Sequence, residues 1–213
     1  MASDILRKVG WVLVVVGAAD IGFMAYCIIN EMNYRSSFNI FALIAGVLLV
    51  KGSLRTARAV AWFSAFLVTG FTGAALIFPF LTPFDLWTIQ FRRDPFSILS
   101  AVVMAVAVIG FVFWVYKNLT SSVVLDAVRS AGLAAKKPVL PFAIGAALVV
   151  GLSGMMLVMT RGESAEIAKQ KAREQLGSKY KYHVTAMNWS GSGGSATLTA
   201  YNDAEITQVK VRW

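Results

Sequence analysis

A chain of 213 residues that is 57% hydrophobic and only 15% charged, with a mean hydropathy of +0.65, is too apolar for a soluble domain of its size. Its formal net charge of +9 falls between long apolar runs, where Lys and Arg set membrane topology, and no segment resembles a nucleic-acid-binding arm. The single cysteine, Cys27, lies inside an apolar run and excludes an intramolecular disulfide.

Five runs read as spanning helices, at residues 9–30, 38–54, 57–82, 97–116 and 139–160. They predict a membrane all-α helical bundle of about five transmembrane helices over residues 1–160. Four reach the roughly 20 residues needed to cross a hydrocarbon core of about 30 Å. The second must recruit flanking residues such as Lys51, whose amine can snorkel to the interface. The first is longer than a signal-peptide core of about 7–15 residues and lacks an A-x-A-like exit, so it reads as a span. With a cytoplasmic N-terminus, the inner segments carry Arg7, Lys8, Lys51, Arg55, Arg58, Lys117, Arg129, Lys136 and Lys137. The outer loops carry only Arg35, Arg92 and Arg93, a positive-inside bias. Five crossings then export the C-terminus, and the expected location is a bacterial cytoplasmic (inner) membrane with a periplasmic C-terminal segment.

Within the first run, "VVVGAADIGFMAY" places Asp20 among apolar residues. An aspartate at a helix centre costs about 2.5–3.5 kcal/mol, and each Val, Leu, Ile or Phe returns about 0.3–0.6 kcal/mol. The helix can therefore insert, with Asp20 turned away from lipid. Gly10, Leu13, Gly17, Asp20, Met24 and Cys27 share one face, and the glycines allow close backbone approach. Thr69, near the middle of the third span, is the expected polar partner, with Thr72 and Gly73 on its face. A protonated Asp20 hydrogen-bonded to Thr69 avoids a buried unpaired charge. Three roles stay open for it: structural glue, docking of a partner helix, and a proton or ion relay.

The loops add two shorter elements. "LTPFDLWTIQFRRDPF", residues 81–96, mixes Phe84, Trp87 and Phe91 with Asp85, Arg92 and Arg93; it reads as an interfacial anchor at the outer surface, because aromatic rings prefer the headgroup level. On the inner side a short amphipathic helix is expected over about 121–131, ending near Gly132, with Lys136 and Lys137 as topology determinants.

After Arg161 charge appears in both signs, and residues 161–213 form a separate extracytoplasmic α+β module. "ESAEIAKQKAREQLG" sets Ala165, Ala168, Ala172 and Leu176 on one helical stripe, with Gly177 at the C-cap position. Thr160 and Glu163 have capping-box spacing. "KYKYHVTAMNW" alternates Tyr180, Tyr182, Val184 and Ala186 against Lys179, Lys181, His183 and Thr185. "SATLTAY" and "EITQVKVRW" continue the alternation, joined by the turn-like "SGSGGS" and "NDAE". A helix followed by a three-stranded antiparallel sheet of this length has a small core, so it should lean on the membrane part or on a partner.

The helix ending in Leu176 and Gly177, the meander "GSGGSATLTAY" and the closing "ITQVKVRW" resemble the C-terminal domain of the cytochrome oxidase assembly-factor family related to a mitochondrial presequence-translocase subunit. That family usually has one membrane helix, where this chain has about five. The resemblance covers roughly the last quarter of the chain and implies a non-enzymatic assembly or quality-control role, with a respiratory complex as client. Separately, "NIFALIAGVLLVKGSLRTARAVAWF" resembles the G-x-L-L and basic-turn pattern of uncharacterised small bacterial inner-membrane proteins.

No catalytic constellation is legible. His183, the only histidine, has no second histidine or cysteine in its module, so an exposed strand histidine is expected instead of a metal site. P-loop, G-x-S-x-G, H-E-x-x-H and C-x-x-C patterns do not occur, and "GSGGS" leads into a strand. No cofactor, metal or nucleic acid is expected; the expected partners are the bilayer and a membrane or periplasmic protein. Two functions remain. The first is a non-enzymatic accessory or assembly factor presenting its module to a partner, with Trp189 and Trp213 as candidate anchors. The second is a small transporter or channel component using Asp20.

Overall fold

The computed structural model describes residues 1–32, 39–135, 138–190 and 193–213. Among them are eight helices and one sheet: α1 (Ala2–Ile29), α2 (Asn39–Val50), α3 (Leu54–Leu81), α4 (Phe84–Arg93), α5 (Pro95–Leu119), α6 (Ser122–Ser130), α7 (Leu140–Arg161), α8 (Glu163–Leu176), and strands β1 (Lys181–Ser190), β2 (Gly193–Tyr201) and β3 (Ile206–Arg212). Four helices, α1, α3, α5 and α7, are long and apolar enough to cross a membrane. The expected second span is only the 12-residue α2, about 18 Å at 1.5 Å per residue and short of a hydrocarbon core. Arg35, Lys136, Lys137 and the centre of "SGSGGS" lie outside the described residues.

The chain forms two compact units, residues 1–69 with 107–145, and residues 70–106 with 146–213. In the first unit, α1 and α2 pack backbone to backbone. A Cβ placed on Gly10 would sit 2.7 Å from the Gly46 carbonyl oxygen, and one on Gly46 would sit 2.7 Å from that of Gly10. Only hydrogen fits between the two helices there. Gly10 also meets Val50, and Gly46 meets Val14, so α2 runs antiparallel to α1 and brings the chain back towards its N-terminal end. There Leu6 and Val9 join Leu49, Ala57, Ala61, Val115, Leu119, Val124 and Val128 in one buried cluster. The amphipathic α6 closes it with Val124 and Val128 and ends at Gly132, whose φ of +72° suits glycine.

In the second unit, the interfacial segment becomes the helix α4, and the C-terminal residues form the expected helix and sheet. The strand order is β1-β2-β3, antiparallel throughout. One sheet face meets α8: Ala165, Ala168 and Ala172 bury completely against Val184, Ala196, Leu198 and Val211. Alanines let the helix lie close to the sheet, which compensates for the small number of large side chains. Leu176 is only half-buried at the end of the stripe, before Gly177 (φ +83°).

Two local expectations need correction. The β1 alternation does not run through Ala186: the register shifts between Val184 and Ala186, so Val184 opposes Leu198 and Met187 opposes Ala196. This bulge moves Ala186 to the exposed side and Met187 into the core. The capping box is also absent. Thr160 lies inside α7 and donates to the Met156 carbonyl at 2.9 Å, while the N-cap of α8 is Gly162, with no side-chain cap. Unbroken helical geometry at Thr160 is incompatible with a cap. The "NDAE" turn behaves as expected, Asn202 Oδ1 accepting from the Ala204 and Glu205 amides at 2.9 and 2.8 Å.

Candidate functional site

The C-terminal α+β module packs on the short helix α4, within the second unit. α4 is strongly amphipathic, and Leu86 and Ile89, three apart, point to one side. They cluster with Tyr201 of β2 and Ile206 of β3, which are paired across the sheet. Lys181 of β1, paired with Tyr201 in the same row, reaches Asp85, and Arg93 donates to the Ala204 carbonyl in the β2–β3 turn. The row Lys181–Tyr201–Ile206 thus seats the sheet's second face on α4 through an apolar centre with polar contacts at its rim. Burial pushes the Tyr201 phenol above its usual pKa, with Asp85 adding to the effect, and the bond to Asp85 raises the Lys181 ammonium. Both shifts keep the seat in its neutral-tyrosine, charged-lysine form at neutral pH. No local pattern connects the two sides of this seat; the i, i+3 spacing of Leu86 and Ile89 is the one signal of it in the sequence.

The three expected interfacial anchors divide accordingly. Phe84 and Phe91 remain exposed, at 83% and 55%, on α4 away from the module. Trp87 turns inwards, half-buried, its ring edge-on to Phe78 of α3 at 5.7 Å between centroids. Its Nε1 is buried with no hydrogen-bond partner among the described residues.

At the other end of the sheet, Trp189, Gly194 and Trp213 lie in one row across the three strands, Gly194 exchanging backbone bonds of 2.8 and 3.0 Å with Trp213. A Cβ on Gly194 would collide with Cζ2 and Cε2 of the Trp213 indole. The ring therefore occupies the space that a side chain at 194 would fill, and Trp213 belongs to the module's own core. Trp189, on the edge strand, is 52% exposed. Of the two candidate anchors, it alone offers a large free apolar surface. His183 is half-buried instead of exposed; burial, and secondarily the Lys169 ammonium, hold its imidazole below the usual range. Among the described residues, no group of three metal-ligating side chains occurs.

In the first unit, Asp20 is half-buried on the packed face of α1, which buries Gly10, Leu13, Gly17 and Cys27 and half-buries Met24. The glycine crossing centres near residues 12 and 48. Asp20 is then about 12 Å along α1 from it, and the start of α2 at Asn39 about 13 Å along α2. Asp20 is therefore level with the first turn of α2, the positive end of that helix's dipole. A carboxyl group is favoured there for a reason that no residue spacing within α1 displays. The Thr69 hydroxyl donates to its own helix, to the Ala65 carbonyl at 3.1 Å, and its Cβ faces Gly145 of α7.

No family model, curated protein or solved structure matches the chain.

Proposed function

We propose that this chain is a non-enzymatic accessory or assembly factor of the bacterial cytoplasmic membrane, whose helical part anchors an extracytoplasmic protein-binding module. The observation that carries the reading is the exposed Trp189 on an edge strand of a module seated on α4. An edge strand offers unpaired backbone groups to an incoming strand, and a neighbouring tryptophan supplies the buried area that dominates interface energies. A respiratory complex is the client that the resemblance of the last quarter implies.

In this reading the N-terminus is inside and the chain makes five passes, the short α2 completing its own with flanking residues such as Lys51. Support for that topology is the return of the chain along α2 to the level of Gly10, which restores the parity that four long helices alone would lose. An impermeant thiol reagent should label Asp203→Cys in intact spheroplasts and leave Ser122→Cys unlabelled, both in a Cys27→Ala background. The reverse pattern would refute the orientation. For the function, a photoreactive amino acid at position 189 of the full chain should crosslink a specific membrane or periplasmic protein. The same probe at Asp126 should not. Identical products from the two positions, or none from 189, would count against the module as the docking element.

The second reading, a small transporter or channel component, draws on Asp20 within the packed face of α1. Proton or cation flux in proteoliposomes that disappears in Asp20→Asn would favour it. Absence of flux in the wild type would remove it.

A further inference from the structure

The basic end of the first unit contains a hollow that neither role uses. Arg55, Arg58 and Trp62 recur at i, i+3 and i+7 along α3, so they share one face. Arg58 and Trp62 line a cavity of about 270 Å³ whose walls include Leu119, Val128 and the start of α7 at Pro138–Pro141. The same two residues, with Arg55 and Leu133, line a shallower hollow beside it. That cavity is near the lower end of ligand pockets, about 300–1,000 Å³. Among the described residues, no carboxylate lines either hollow, and no ion pair engages Arg55 or Arg58. Arg58 therefore borders both hollows and Arg55 the shallower one, with no counter-charge in either lining among the described residues. Trp62 and Phe63, both about 40% exposed, continue the recess along α3 as an open aromatic surface.

We propose that this recess holds one anionic phospholipid of the inner leaflet: Arg55 and Arg58 bind the phosphate, and the acyl chains follow Trp62 and Phe63. Guanidinium groups present a fork of donors that matches phosphate oxygens, and basic pockets between membrane helices suit anionic head groups. A tryptophan one turn past Arg58 is at the level where its ring straddles headgroup and hydrocarbon. Apolar walls distinguish this site from one for a free phosphate, which would leave the recess empty of the chains that match it. The assignment rests on the membrane reading and on the inner location of the Lys and Arg residues.

The test uses the full chain purified in a neutral detergent, with Arg55→Gln/Arg58→Gln as the variant and Arg92→Gln/Lys210→Gln as the control. Flotation with phosphatidylcholine vesicles comes first; failure of the wild type to float would overturn the membrane reading and the lipid site with it. For a chain that floats, phosphatidylglycerol adducts are counted by native mass spectrometry against phosphatidylcholine adducts. The wild type and control should prefer phosphatidylglycerol. The inner variant should lose that preference by about fivefold per arginine removed, while keeping its unfolding midpoint in phosphatidylcholine. Equal adducts in the wild type and inner variant, or equal loss in the outer control, would overturn the assignment. Displacement of the lipid by millimolar inorganic phosphate would assign the site to phosphate instead.

Discussion

Replacing Gly10 by alanine introduces a Cβ that would lie 2.7 Å from the Gly46 oxygen and 2.8 Å from the Val50 nitrogen, where ordinary contact begins at 3.4 Å. Both atoms belong to backbone and cannot swing aside. Relief therefore needs α1 and α2 to separate by about 0.7 Å (3.4 minus 2.7) along the crossing. A gap of that size forfeits roughly a quarter to a half of each contact's attraction across the helix pair, and overpacking of this kind costs about 1–3 kcal/mol. Gly22 on the same helix has nothing within 4 Å of its would-be Cβ; Gly22→Ala should be neutral or slightly stabilising, since alanine is the better helix former. Gly46→Ala should resemble Gly10→Ala. The double variant should cost less than the sum, because a single separation relieves both collisions. The assay is denaturant-induced unfolding of the full chain in mixed micelles, followed by tryptophan fluorescence. Equal midpoints for Gly10→Ala and Gly22→Ala would falsify the backbone crossing.

At the α4 seat, Leu86→Ala should cost about 2–4 kcal/mol of docking, seen as faster hydrogen exchange of Tyr201 and Ile206 amides in the full chain. Lys181→Gln, which removes an exposed, solvent-screened ion pair, should loosen the seat far less than Leu86→Ala; a larger effect than that of Leu86→Ala would mean that the seat is electrostatic. Trp213→Ala should destabilise the module by about 3 kcal/mol and open β2 amides to exchange, whereas Trp189→Ala should stay within about 0.5 kcal/mol; the opposite ranking would exchange their roles. His183 favours its neutral form in the fold, since burial lowers its pKa. The unfolded chain takes up that proton first as pH falls below about 6.5. Its contribution is thus fully present above that pH and is lost as pH falls through the folded pKa. Protection of β2 amides should fall between pH 7 and 5 in the wild type and fall less in His183→Gln; parallel curves would exclude the histidine as the cause.

Periodicity and composition were sufficient for most elements, since they depend on neighbours in the chain. The four long apolar helices, the α8 alanine stripe, the strand alternation of β2 and β3, and the turn at Asn202 are legible because burial repeats every 3.6 or 2 residues. Local periodicity misleads where a distant element interrupts that repeat. The β1 bulge at Thr185 inverts the faces of Ala186 and Met187, and nothing in "HVTAMNW" marks the slip, which depends on pairing with β2. The shortness of α2 is legible, since Lys51, Gly52 and Ser53 follow directly on its last apolar residue, Val50. The sequence showed Asp20 as an anomaly and Gly10 as a small residue on its face. It could not show that Gly46 is the surface Gly10 meets, nor that α2 begins at the depth of the carboxyl group. The two tryptophans were equivalent as letters; cross-strand register beside Gly194 buries one and leaves the other on an edge. The seat on α4 joins residues about 100 positions apart through side chains whose local patterns are ordinary, so only the packed chain brings Leu86, Tyr201 and Lys181 to one row.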